Sequence, residues 1–221
     1  FVRRVNSIGE PVWVRSEPSF GEPDNGVLAS DAVIKSVLYR AQNQRNGFEF
    51  VNDEYIEIYN LKDETLELWD EGFRGTAYYN TWRIDSGLSI SQDSALRGEG
   101  IFFEFPPNIT LAAKSSLLIV YDNPQTFRER NNVRADIQIL GPWLGTPLPN
   151  DFSTLRLTFP DKQNFDFTVP YVESDSLEYH SQFPWPTSQL GVPMIRKNVS
   201  IFGNEPSNWV VDPNLPSFVA D

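Results

Sequence analysis

Apolar and polar positions alternate with a period of two wherever a pattern is visible along this 221-residue chain, which predicts strands with one buried face. In Tyr55 to Asn60, Ile56 and Ile58 share a face and Glu57 lies on the other. Thr65 to Trp69 repeats the pattern with Leu66 and Leu68, and the segment from Asn60 to Glu64 has the composition of a turn. Gly100 to Phe105 reads as a strand stopped by Pro106 and Pro107. Ser115 to Tyr121 is mostly apolar and stops at Asp122, Asn123 and Pro124, as expected of a strand covered on both faces.

The clearest alternation runs from Ser153 to Phe159, with Leu155, Leu157 and Phe159 against Thr154, Arg156 and Thr158. Pro160 to Asn164 then turns the chain, and Phe165, Phe167 and Val169 alternate on the return, so a hairpin is predicted. Leu177 to Tyr179 reads as a further short strand before Phe183-Pro184-Trp185-Pro186. Two segments carry helical signals. Asp31 is a candidate N-cap before Ala32, but Val33, Ile34, Val37 and Leu38 favour a strand over 33–41. Pro124 to Asn132 predicts a turn or two of helix after Asp122. Seventeen Pro and thirteen Gly spread between short strands complete the picture of an all-β sandwich.

Composition narrows the function. An aromatic share of 14% with six Trp supplies core material and argues against global disorder. A net charge of −12 counts against nucleic acid and against an anionic membrane surface, leaving a solvated acidic surface or cation binding. No run of 18 apolar residues exists, so no segment is expected to span a bilayer as a helix. The start has no initiator Met, basic segment or apolar segment, and reads as a piece of a longer chain. With no Cys, there is no disulfide, thiol nucleophile or thiolate zinc site. Asn108 and Asn198 begin matches to the N-glycosylation pattern.

Catalytic signals are sparse. The one His, His180, needs a serine and an acid brought to it by the fold, and no Gly-x-Ser-x-Gly pattern exists, so it is read as a half-exposed strand-end residue. Glu57 with Asp70 or Glu71 would make a glycosidase pair only at a separation the fold must set. Calcium is the more plausible metal: Asp122, Asn123 and Asp175 lie in oxygen-rich segments expected to be loops, although turn-forming residues explain the same letters. No cofactor other than calcium is expected.

At the level of motifs, the span from about 34 to 218 resembles the lamin-tail domain, through five segments in that family's order. These are Glu54 to Leu68; Thr81-Trp-Arg-Ile84 with Phe103 to Asn123; Leu140 to Asp161; Asp175 to Gly191; and Phe202 to Val210. The closing Leu215-Pro216-Ser217 replaces the family's Thr-Pro-Gly, and segments 70–80 and 86–99 are insertions. The resemblance implies an immunoglobulin-like β-sandwich from a bacterial secreted or cell-surface protein, with Trp82, Trp185 and Trp209 in the framework.

The chain also repeats itself. Ser7-Ile8, Trp13-Val14 and Pro18-Ser19-Phe20 are echoed by Ser200-Ile201, Trp209-Val210 and Pro216-Ser217-Phe218, with the tryptophans 196 residues apart. Residues 1–30 therefore read as a linker and a closing segment like the tail of a preceding copy, and 31–221 as the sandwich domain, so tandem copies are expected. Trp69, Phe73, Tyr78, Tyr79 and Trp143 fall in loops or insertions; they either fold back over the core or form a partner surface. The sequence thus predicts a non-enzymatic interaction or tethering module with a protein or glycan partner and no membrane insertion, neighbouring copies being further candidate partners. The alternatives are a glycan- or calcium-binding accessory module and a structural subunit of a surface layer or filament.

Overall fold

A computed structural model describes residues 2–5, 11–14, 31–42, 47–71, 79–87, 91–161, 169–214 and 218–219, with backbone alone at 2–5, 11–14, 70, 71 and 79. The first ribbon pairs β1 (Val2–Val5) with β2 (Pro11–Val14). Then come β3 (Ala32–Leu38), the strand that its β-branched residues favour, and β4 (Tyr55–Asn60). The expected strand over 65–69 is two short ones, β5 (Leu66–Glu67) and β6 (Trp69–Glu71). They part at Leu68, whose N–H donates to Ile109 and whose carbonyl accepts from Trp82, each at 3.0 Å. Next are β7 (Tyr79–Thr81), β8 (Arg83–Asp85), helix α1 (Gln92–Leu96), β9 (Ile101–Glu104), β10 (Thr110–Leu111) and β11 (Ser116–Val120). The chain finishes with helix α2 (Pro124–Arg130), β12 (Gln138–Leu140), β13 (Leu144–Gly145), β14 (Phe152–Pro160), β15 (Tyr171–His180), β16 (Met194–Arg196) and β17 (Trp209–Val211).

Two sheets form an all-β sandwich. One has the order β12-β11-β4-β3-β16-β17, antiparallel except for the parallel β11–β12 pair; the other is the antiparallel β13-β9-β8-β14-β15. Ile34, Ile56 and Leu117 from the first meet Ile84, Leu155 and Leu177 from the second in one buried cluster. The alternation read from the sequence is visible at Leu155 and Leu157, which are fully buried while Thr154 and Arg156 are not, but it breaks at a bulge after Leu157, where Thr158 is buried and Phe159 only partly so.

The apolar run of β11 has a different cause. Leu117 and Ile119 face the sandwich core, whereas Leu118 and Val120 pack outward against Phe127 of α2, Val133, Ile137 and Phe218. A second core therefore covers the outer face of this sheet, and β11 is buried on both sides. Asn123 caps α2 as its amide oxygen accepts from the Gln125 and Thr126 N–H groups at 3.0 and 3.2 Å. Asn60 fixes the turn after β4: its side chain donates to the carbonyls of Glu64, Leu111 and Ala112 and accepts from the Lys62 N–H.

The hairpin prediction needs correction. β14 pairs with β15 rather than with Phe165 to Val169, and Leu155 stands opposite Leu177. This longer ladder brings Leu177 and Tyr179 into the core beside Leu155, a burial that a tight turn at Pro160 to Asn164 would forgo. Phe165 and Phe167 lie outside the described residues. Helix α1 was not foreseen either; its N-cap, Ser91, accepts from the Ser94 N–H at 3.2 Å. Among the described residues no helix is long and apolar enough to cross a membrane.

Candidate functional site

The candidate calcium ligands do not meet. Asp175 sits on β15, 1% exposed, and its carboxylate faces the Arg196 guanidinium of β16 at 2.6 and 3.2 Å. It also accepts from the Ile34 and Gly203 N–H groups at 2.9 and 3.1 Å. Arg196 spends its other donors on the Ile34 and Ile201 carbonyls, and its cross-strand partner Trp209 donates to the Gly203 carbonyl at 2.7 Å. Asp175 is therefore a clamp between the two sheets. A side chain on Gly203 would bring its Cβ within 2.3 Å of the Ser176 carbonyl oxygen, so close approach to β15 requires glycine here. Asp122 pairs with Arg130 at 2.9 Å, and Asn123 is the cap described above. Among the described residues no cluster of three or more His, Cys, Asp or Glu is placed to hold a metal.

The expected aromatic surface is also redistributed. Trp143 is 3% exposed, packs 5.3 Å from the Tyr121 ring and donates its indole N–H to the Thr146 carbonyl at 2.9 Å. Its segment folds back over the core, which corrects its assignment to a partner surface. Trp69 is half-buried on β6, opposite Thr81. Tyr79 stands opposite Glu71 in the backbone ladder; its ring, Phe73 and Tyr78 lie outside the described residues. Trp82, Trp185 and Trp209 are buried. The Glu57 carboxylate, offered as half of a glycosidase pair, is committed to Ser36, Ser116 and Lys35 at 2.6, 2.6 and 2.8 Å.

A polar cleft of about 430 Å³ lies over β8, β9 and β14. Its arginines are paired: Arg83 with Glu104 at 2.9 Å, and Arg156 with Asp85 at 3.5 Å and with Glu173 beyond the lining at 3.2 Å. Burial raises the Asp85 carboxyl above its ordinary range, against the pull of Arg156. Arg83 also lies 3.8 Å from the centre of the Tyr171 ring.

The opposite character appears where β14 begins and β15 ends. Register places Phe152 opposite His180, and their rings lie 4.6 Å apart. The Ser181 N–H donates to the Asp151 carbonyl, and the Trp185 N–H to the Gln182 carbonyl, at 2.9 and 3.1 Å. These bonds hold a turn that buries Trp185 and leaves Phe183 92% exposed. Phe152 is also exposed, His180 approaches Glu178 at 3.7 Å, and the group lines a concavity of about 500 Å³. Apolar rings beside a carboxylate, an imidazole and a carboxamide can bury area and supply directional hydrogen bonds. Sequence reading had assigned Phe183 no role; the signal was its place one residue before the Pro184-Trp185 anchor.

A buried carboxyl in the core is also perturbed. Glu54 is 0% exposed; one carboxyl oxygen accepts from the Leu148 N–H at 2.7 Å, and the other has no hydrogen-bond partner among the described residues. Burial pushes its pKa from near 4.5 up to about 8. Comparison of the chain with protein-family models, with curated proteins and with solved structures finds no match to any of them.

Proposed function

We propose that the chain is a non-catalytic interaction module of a secreted or cell-surface bacterial protein, of the lamin-tail kind, which holds a protein partner at the Phe152–His180–Phe183 end. The observation that carries this reading is Phe183, 92% exposed on a turn that is anchored two residues later by a buried Trp. A large ring held in water by a fixed backbone has already lost the freedom that binding would otherwise remove. The non-catalytic part is supported by the one imidazole, which lies tilted against Phe152 and faces Glu178. The family reading is supported by the five ordered motifs, and the two-layer architecture agrees with it.

A photo-reactive phenylalanine analogue at position 183 tests this in the producing cell. One discrete cross-linked species is expected from position 183, and none from the same analogue at Leu96, which is also exposed. No product, or the same products from both positions, would contradict it. A glycan reading is favoured by Asp151, Gln182 and Ser181 beside the rings. It predicts that oligosaccharides change tryptophan fluorescence in the wild-type chain but not in Phe183→Ser.

A further inference from the structure

Ile84, Phe103, Leu155 and Leu157 belong to the core cluster, so their neighbours in sequence stand on the outer face of the same sheet. Register sets these in two rows across β9, β8 and β14. Glu104, Arg83 and Thr158 form one row, and Phe102, Asp85 and Arg156 form the next. Helix α1 packs against β9 and β13, and its first turn walls the polar cleft with Ser91 and Gln92. A second cavity, of about 590 Å³, adjoins this cleft, since Gln92, Phe102 and Glu104 line both. The rest of its lining is largely apolar and includes Pro106, Pro107, Pro142 and Leu144. The two together make one groove, polar over β8 and β14 and apolar beyond β9.

The charged groups lining the cleft are two arginines and two carboxyl groups, paired across the strands. Donors and acceptors thus stand side by side, with no excess of either sign to draw an ion. A hydroxyl suits such a surface, because it donates to a carboxylate and accepts from a guanidinium. The Phe102 and Tyr171 rings supply apolar area in the same cleft. Two buried threonines in the groove also lack a partner. Thr158 in the first cavity is 1% exposed and Thr81 in the second is 3% exposed, and neither hydroxyl has a hydrogen-bond partner among the described residues. A buried hydroxyl left unpaired carries a cost that an incoming hydroxyl would remove. We propose that the groove over β8, β9 and β14 binds a neutral oligosaccharide, whose hydroxyls meet the Arg83–Glu104 and Arg156–Asp85 pairs and Thr158, and whose ring faces lie on Phe102 and Tyr171. This site goes beyond the aromatic-end reading and does not depend on it.

Calorimetric titration of the full chain with cellohexaose, mannohexaose, xylohexaose, laminarihexaose and maltohexaose tests this. At least one of these is expected to bind with a Kd below about 1 mM. Thr158→Val keeps the shape and removes the hydroxyl, so it should weaken that binding by roughly fivefold to tenfold while the thermal midpoint stays level or rises. Gln92→Ala, at an exposed position shared by both cavities, should weaken it as well, and it decides the matter if Thr158→Val fails to fold. Phe183→Ser should leave the Kd unchanged, which separates this groove from the aromatic end. The proposal is overturned if none of the sugars binds, or if Thr158→Val and Gln92→Ala both leave binding intact. Loss of binding in Phe183→Ser alone, or tighter binding of a sulfated hexasaccharide than of every neutral one, would overturn it too.

Discussion

Two of the acidic side chains buried in this sandwich, Asp175 and Glu54, are neutralised by opposite means. Asp175 meets a guanidinium and two backbone N–H groups, so nearly every lone pair is used. Glu54 meets a single N–H, and burial moves its pKa to about 8, so it holds a proton at neutral pH. Removing a charge from water is tolerable only where a partner or a proton replaces the lost hydration. Asp175 therefore ties two sheets together, whereas Glu54 places a pH-dependent cost inside the core.

The largest expected effect comes from breaking the first arrangement. Arg196→Ala leaves Asp175 buried without its cation and should cost about 3–5 kcal/mol in denaturant unfolding. Second is the pH dependence that Glu54 introduces. Below about pH 4.5 both folded and unfolded chains hold this proton; between 4.5 and 8 only the folded chain keeps it. Stability from this group therefore falls as pH rises through that window, by several kcal/mol, and levels off above it. Glu54→Gln should remove that slope when chemical unfolding is followed from pH 5 to 9. A smaller loss, about 1 kcal/mol, is expected from Asn123→Ala at the α2 cap. Smallest is Phe183→Ser, within about 0.5 kcal/mol of wild type in the same assay, because the ring is in water already.

Much of the frame was legible because burial leaves a periodic trace. The alternation of Leu155 and Leu157, the unbroken apolar run of Leu117 to Val120 and the Asn123-Pro124 start of α2 each state a local environment in local letters. The clamp was not legible, since Asp175 and Arg196 come from facing sheets and each alone looks like a surface charge. Glu54 was hidden among the acidic neighbours Asp53 and Glu57, which look equally solvated in sequence. Trp143 looked exposed because loop composition does not reveal whether a loop folds back over the core. The return strand of the hairpin was misplaced because two stretches alternate with the same period, and only pairing across the core chooses between them.

One carboxyl group is kept neutral inside the sandwich while another is held by arginine. Carbon-detected NMR of the Glu54 side-chain carboxyl, assigned by its loss in Glu54→Gln and followed from pH 4 to 10, observes this directly. A midpoint near 8 is the predicted result. A midpoint near 4.5, the ordinary glutamate value, would contradict it.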